Sequence, residues 1–191
     1  MSSLIQSWNT YRILELSIIS AEGLKKPSSA NKSDQVYAIA YIAGKLDRFR
    51  TPVDKKGGSE PTWNHQPMKF TINEAEALRN SLMLVIKLKA ERMFFDKNLG
   101  EVRLPIKELM EGIRYEGKRI QVVGYQVQRK SNEPSGSLRF SYKFGKKIFT
   151  PVYYHPAGAS SIIFYISWTK VDKSWKLFLD AMKGVISHIP N

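Results

Sequence analysis

Residues 136–144, Gly-Ser-Leu-Arg-Phe-Ser-Tyr-Lys-Phe, alternate without a break: Leu138, Phe140, Tyr142 and Phe144 against Arg139, Ser141 and Lys143. A period of two leaves the chain one good option, an extended strand with one face in a core and the other in water. The period recurs along the sequence. "ILELSIISAEG" sets Leu14, Leu16 and Ile18 against Glu15 and Ser17, and "MKFTI" turns Met68, Phe70 and Ile72 inward. "LMLVIKLK" places Leu82, Leu84, Ile86 and Leu88 on one side and Lys87 and Lys89 on the other. "VYAIAYI", "KLDRFRT", "LGEVRLPI" and "RIQVVGYQV" complete a set of eight strand-like segments separated by turn signals. Such a series predicts an antiparallel all-β sandwich or barrel, with Leu16, Ile18, Phe70, Leu84, Ile86, Phe140 and Tyr142 buried.

Two short helical inserts interrupt the strands. "NEAEALRNS" opens like a capping box, Asn73 standing three residues before Glu76, and "PIKELMEGI" starts on Pro105 and stops near Gly112. After Phe144 the character changes. A Gly/Pro-punctuated connector leads to a strand-like run, "SIIFYISW", and then to "DKSWKLFLDAMKGVISHIP". In that last segment Trp175, Phe178, Leu179, Met182 and Ile186 follow helical spacing, with Lys173, Lys176, Asp180 and Lys183 opposite, as in an amphipathic helix. The expected division is a sandwich over 12–144 and an extension over 145–191.

Composition narrows the function. The net charge of +13 points to a polyanionic partner. With no cysteine, disulfides and thiolate metal sites are excluded, and a reducing compartment fits. No apolar run is long enough for a membrane-spanning helix, and the first residues lack the layout of a secretory signal. His65, His155 and His188 show no zinc-ligand spacing, and neither a nucleophile elbow nor a phosphate-binding loop is present. No enzyme is expected. Single-strand nucleic-acid binders interleave aromatics with cations on an open groove. Here the alternation spends the aromatics on the core, so no nucleic-acid partner is expected.

Several stretches, taken in order, resemble the calcium-dependent lipid-binding (C2) domain family. They are "LELSIISAEGLKK", "SDQVYAIAYIAG", "RFRTPVDKKGGSEPTWNHQPMKFTI" and "DKNLGEVRLPIKEL". The "VDKKGG" turn and the closing Phe-Ser-Tyr-Lys-Phe strand are similar to those of small plant single-C2 proteins of the cold- and defence-responsive type. The resemblance implies an eight-stranded antiparallel Greek-key β-sandwich with three loops at one end. It also implies binding of anionic membrane lipid, phosphoinositide or phosphatidylserine, at the cytoplasmic side of the plasma membrane, in stress or defence signalling.

In calcium-binding members the loops carry about five aspartates, since calcium takes six to eight oxygen ligands. Asp34 matches one of them, but Ser28 stands where the first belongs and Gln35 replaces the family's proline. In the third loop the ligand positions hold Lys89, Glu91 and Lys97, with Asp96 one place off. Asp34, Glu91 and Asp96 are the candidate metal ligands. Two ammonium groups at ligand positions make calcium weak and not required.

Lipid-binding candidates are Arg48, Arg50, Lys55, Lys56, Lys69, Lys87 and Lys89, read as outward cations of a basic sheet face and its turn. Met93, Phe94 and Phe95 form an apolar triplet between charges, where the resemblance puts a membrane-facing loop. The C-terminal amphipathic segment is a candidate for a membrane interface, a protein partner or the sandwich itself. The sequence supports a non-enzymatic membrane-targeting adaptor. A calcium-switched phospholipid sensor and a protein-interaction scaffold without lipid affinity are the alternatives.

Overall fold

The computed structural model describes residues 6–25, 35–79 and 81–153. The strand-like run and the amphipathic helix read in the C-terminal sequence lie outside them, as do Ser28 and Asp34. The described strands are β1 (Gln6–Glu22), β2 (Gln35–Ile42), β3 (Arg48–Arg50), β4 (Met68–Asn73), β5 (Met83–Glu91), β6 (Lys97–Pro105), β7 (Lys118–Gln128), β8 (Pro134–Phe144) and β9 (Ile148–Tyr153). Helix α1 (Glu74–Leu78) follows β4, and α2 (Ile106–Leu109) follows β6.

The strands run in the order β3-β2-β5-β6-β7-β8-β1-β4, all antiparallel, with β9 added beside β1. Between β6 and β7 the ladder has a single pair, Glu101 with Gln128. The sheet curls there into two layers, β3-β2-β5-β6 and β7-β8-β1-β4. Phe49 of β3 and Phe70 of β4 meet edge to face across the interior, ring centroids 4.9 Å apart. This is the expected sandwich, and all seven side chains expected in the core are buried.

Local chemistry sets the connections. The Asn73 side chain accepts from the Glu76 amide and starts α1 as the sequence predicts. The turn after β3 is organised by Asp54. One of its carboxylate oxygens accepts from the amides of Lys56 and Gly57, each at 2.9 Å, and the other from the amide of Thr62 at 2.8 Å. These amide bonds, Thr62 foremost, hold Asp54 below the usual carboxylate range. A β-carbon at Gly57 would sit 2.3 Å from the Asp54 carboxylate, so the turn requires glycine there. Trp63 is buried and donates its ring N–H to the carbonyl of Val36. His65 accepts from the Ile18 amide through Nε2, a structural role that also explains its place after the Trp-Asn pair.

Two features differ from the sequence reading. Residues 148–153, within the expected connector, form β9 and pair with Gln6–Tyr11 of β1. Pro151 reads as a strand breaker because it has no N–H, but β9 pairs with β1 alone among the described strands, and such an edge tolerates proline. Accordingly β1 begins at Gln6, well before the apolar alternation starts at Leu14. Second, the inward phase of β1 ends in a charge. Arg12 is only 2% exposed, its Nε donating to Glu74 at 3.1 Å and its Nη1 to the carbonyls of Tyr115 and Gly145. Lys147 closes on the same carboxylate at 2.7 Å.

Register places the loops. The β1–β2, β5–β6 and β7–β8 connections lie at one end, where Arg129 donates to the carbonyl of Lys25. The 51–54 segment runs along β2 toward that end through Thr51 N–H to Ala38 O and Asp54 N–H to Val36 O. The α1 helix and the Arg12–Glu74–Lys147 cluster occupy the other end.

Candidate functional site: a basic sheet face beside an apolar loop tip

The outer face of β3-β2-β5-β6 follows from pairing. Across the strands Tyr41 lies beside Arg48 and Val85, and Val85 beside Arg103. Ile39 lies beside Arg50 and Lys87, and Lys87 beside Glu101, while Tyr37 lies beside Lys89. Directly paired residues share a face. The inner phase of β2, namely Val36, Ala38, Ala40 and Ile42, is fully committed to the core.

Tyr37 and Tyr41 are the residues that the sequence reading missed. Each is largely buried, and each supports a cation on its ring. The Arg50 guanidinium carbon stands 3.7 Å from the Tyr37 centroid, and that of Arg48 4.3 Å from the Tyr41 centroid. The Lys87 ammonium lies 5.7 Å from Tyr41. Such contacts fix flexible cations in place. The signal was in "QVYAIAYI", where Tyr37, Ile39 and Tyr41 alternate with smaller apolar residues, but enrichment in aromatics alone does not say which face they take.

Of the seven candidate cations, Arg48, Arg50, Lys87 and Lys89 come together on this face. Lys55 and Lys56 are exposed on the Asp54 turn at the loop end. Lys69 does not join them. It pairs with Glu15 of β1, and Glu15 forms an ion pair with Lys143 of β8 at 3.2 Å. Lys69 therefore points outward from the opposite layer, since its neighbour Phe70 and the Arg48–Arg50 neighbour Phe49 face each other inside. Periodicity tells inward from outward; it does not tell which of two layers a strand joins.

The cations are not equivalent. Arg50 Nη2 is 2.7 Å from Glu91, and Lys87 is 3.5 Å from Glu101, which also pairs with Arg103 at 3.0 Å. The Tyr41 hydroxyl raises the Lys87 pKa, burial opposes the rise and Glu101 adds to it, so Lys87 stays charged. Arg48, Lys89, Lys55 and Lys56 form no ion pair among the described residues.

Beyond β5 the loop tip leaves the protein. Met93, Phe94 and Phe95 are 91%, 84% and 88% exposed, so none folds back onto the loop base. Three adjacent side chains of this size in water constitute an exposed apolar patch, a feature that marks interaction surfaces. Of the candidate metal ligands, Glu91 is held by Arg50, and Asp96 accepts from the Tyr37 hydroxyl and from the Arg92 amide. Asp34 lies outside the described residues. Among the described residues no group of three potential metal ligands converges. Calcium needs six to eight oxygens, and this part of the loop end offers two carboxylates already engaged by internal donors. The described residues do not fit a calcium cage.

The family model of the C2 domain matches residues 12–120. "Protein SRC2" of Glycine max is 40% identical over 154 residues, covering 79% of this chain and 52% of that protein. "Protein SRC2 homolog" of Arabidopsis thaliana is 42% identical over 138 residues, covering 71% of this chain and 41% of its own length. The chain thus spans about half the length of these relatives. Among solved structures, a C2 domain of plant Extended Synaptotagmin 1 superposes with a TM-score of 0.55 at 14% identity, over 70% of this chain and 94% of that one. That likeness concerns the fold.

Proposed function

Because the chain belongs to the C2 domain family, a family of lipid- and calcium-linked membrane signalling domains, we propose that it is a non-enzymatic membrane-targeting adaptor that binds anionic phospholipid. The outer face of β3-β2-β5 attracts the bilayer, and the Met93–Phe95 tip enters it. The observation that carries this reading is the juxtaposition of aromatic-supported cations with an apolar triplet almost wholly in water.

Magnitudes favour the two acting together. A cation near an anionic surface contributes roughly 1 kcal/mol, so Arg48 and Lys89, the two on the face that form no ion pair among the described residues, give about 2 kcal/mol, weaker than millimolar affinity. Each inserted phenylalanine contributes roughly 1.5–3 kcal/mol. Charge and insertion together make the two-signal attachment that a single weak anchor does not supply. Phosphoinositide and phosphatidylserine both present the required anion. The engagement of Glu91 and Asp96 by Arg50 and Tyr37 supports binding with little calcium dependence. Peripheral attachment at the cytoplasmic side of the plasma membrane, a role in stress or defence signalling, and a protein partner for the C-terminal segment are parts of the same reading. Among the described residues no helix is long and apolar enough to cross a membrane.

Co-sedimentation with vesicles tests it. The protein should pellet with phosphatidylserine- or phosphoinositide-containing vesicles and stay in solution with zwitterionic ones. Binding should weaken from low to physiological salt without vanishing, because a Debye length of about 8 Å screens the exposed charges but not an inserted ring. No preference for anionic vesicles at any salt would leave the scaffold reading in its place.

A further inference from the structure

We propose that Tyr37 and Arg50 are positioning residues that clamp the two ends of the Met93–Phe95 tip, so that the tip is presented without a divalent cation at its base. The inference deepens the membrane reading above and rests on it for its purpose, though not for its geometry. The tip is bracketed by Glu91 and Asp96, and both carboxylates tie to one place. The Tyr37 hydroxyl donates to Asp96 Oδ2, and Asp96 Oδ1 accepts from the Arg92 amide at 3.2 Å, closing the loop on itself. Glu91 Oε1 accepts from Arg50 Nη2 at 2.7 Å, and that guanidinium lies on the Tyr37 ring at 3.7 Å. Tyr37 is 3% exposed on β2, a strand paired on both sides, so the anchor itself is rigid.

A clamp is needed here because the tip contributes nothing to its own folding. Its apolar side chains touch water, and an unrestrained run of this kind gains by collapsing onto the nearest apolar surface. Ordering must come from polar bonds at the base. Burial first, and Asp96 second, push the Tyr37 pKa up to about 12, so its hydroxyl keeps its proton at neutral pH. The Tyr37 hydroxyl and then the Arg92 amide hold Asp96 below the usual carboxylate range, so it remains an ionised acceptor. Donor and acceptor stay matched under ordinary conditions. The arrangement also divides the two arginines of β3. Arg48 rests on Tyr41 and pairs with no carboxylate among the described residues. Arg50 is committed inward, to Glu91 and Tyr37.

The test uses the full chain and the variant Tyr37→Phe, which keeps the ring under Arg50 and removes only the hydroxyl. In lipid-free protein, amide hydrogen exchange at Arg92 should accelerate about tenfold, the loss expected for one charge-assisted hydrogen bond. Binding to phosphatidylserine vesicles at physiological salt should fall about three- to tenfold with an unchanged salt slope. Arg50→Gln combined with Glu91→Gln, which removes the tie without changing the net charge, should do the same, whereas Arg48→Ala should lower the slope. Unchanged exchange at Arg92 in Tyr37→Phe overturns the clamp, as does unchanged vesicle binding by the charge-neutral Arg50→Gln, Glu91→Gln variant. Faster exchange in a protein that binds no vesicles keeps the clamp and removes the membrane reading. If Tyr37→Phe melts early, Asp96→Ala, at an exposed position, carries the vesicle measurement at high salt, where the lost charge is screened: a three- to tenfold fall is expected, and unchanged binding overturns the clamp.

Discussion

The two ends of the sandwich use the same chemical groups under opposite conditions. At the α1 end the guanidinium of Arg12 and the carboxylate of Glu74 are shut into the molecule, and the half-buried ammonium of Lys147 closes on them. At the loop end Arg50, Glu91 and Asp96 surround an apolar tip in open water. Solvent decides what each set does. A buried pair has lost its hydration, so removing one partner strands a charge and is costly. An exposed pair is screened and contributes little to folding. The first cluster therefore secures the junction of β1, α1 and the β8–β9 bend. The second is free to serve presentation of the tip, because stability asks almost nothing of it.

The largest expected effect breaks the closed end. Glu74→Gln should destabilise the fold by about 3 kcal/mol, since Arg12 and Lys147 lose their shared counter-charge. Chemical denaturation measures this, and vesicle binding by the folded fraction should not change. The pH dependence has a definite sign. Burial alone would raise the Glu74 pKa, but hydrogen bonds from Lys147, Arg12 and Thr10 outweigh it and leave it below its ordinary value of 4.5. A depressed carboxylate contributes stability that is complete above its unfolded pKa and is lost as pH falls through the folded one. The gap between wild type and Glu74→Gln should therefore close as the pH is taken below 4.5.

Next in size is the open end. Phe94→Ala combined with Phe95→Ala should leave stability within about 0.5 kcal/mol of wild type. The same change should weaken vesicle binding by more than about a hundredfold at every salt concentration, the apolar contribution being unscreened. A loss of several kcal/mol of stability would mean that the rings are core, and the contrast between the two ends would collapse. A smaller effect is expected from Arg48→Ala with Lys89→Ala, about 2 kcal/mol at low salt and much less at high salt, read as a flatter salt dependence. Smallest is Lys69→Ala. Pointing from the opposite layer, Lys69 should leave vesicle binding within about twofold of wild type, and a loss as large as that of Arg48→Ala would show that both layers face the bilayer.

The layers of the fold that rest on period-two alternation were legible in the sequence: Leu14 to Ile18, Met68 to Ile72 and Leu138 to Phe144 are buried as their phases require. The Asn73 cap was legible too, from spacing; the charges on either side marked the triplet out, but its exposure did not follow from them. What alternation does not carry is pairing. It gave no sign that β9 would lengthen β1, because Gly145 and Pro151 interrupt the pattern there, or that Lys69 would join the other layer. Nor did it show Arg12 as a core residue, although Arg12 stands on the same phase as Leu14 and Leu16; a lone arginine on that phase has its charge met, among the described residues, by groups 62 to 133 positions away, Glu74, Tyr115 and Gly145. The loop-end carboxylates were found by family spacing, but their partners, Tyr37 and Arg50, come from other strands.

Attachment to an anionic bilayer without a calcium requirement can be measured directly. Vesicles containing phosphatidylserine and phosphoinositide are sedimented with the full chain at physiological salt, once with millimolar calcium and once with chelator. Equal pelleting is expected in both, with none on zwitterionic vesicles. Pelleting that appears only with calcium, and is abolished by Asp34→Asn, would contradict it and identify a calcium-switched sensor.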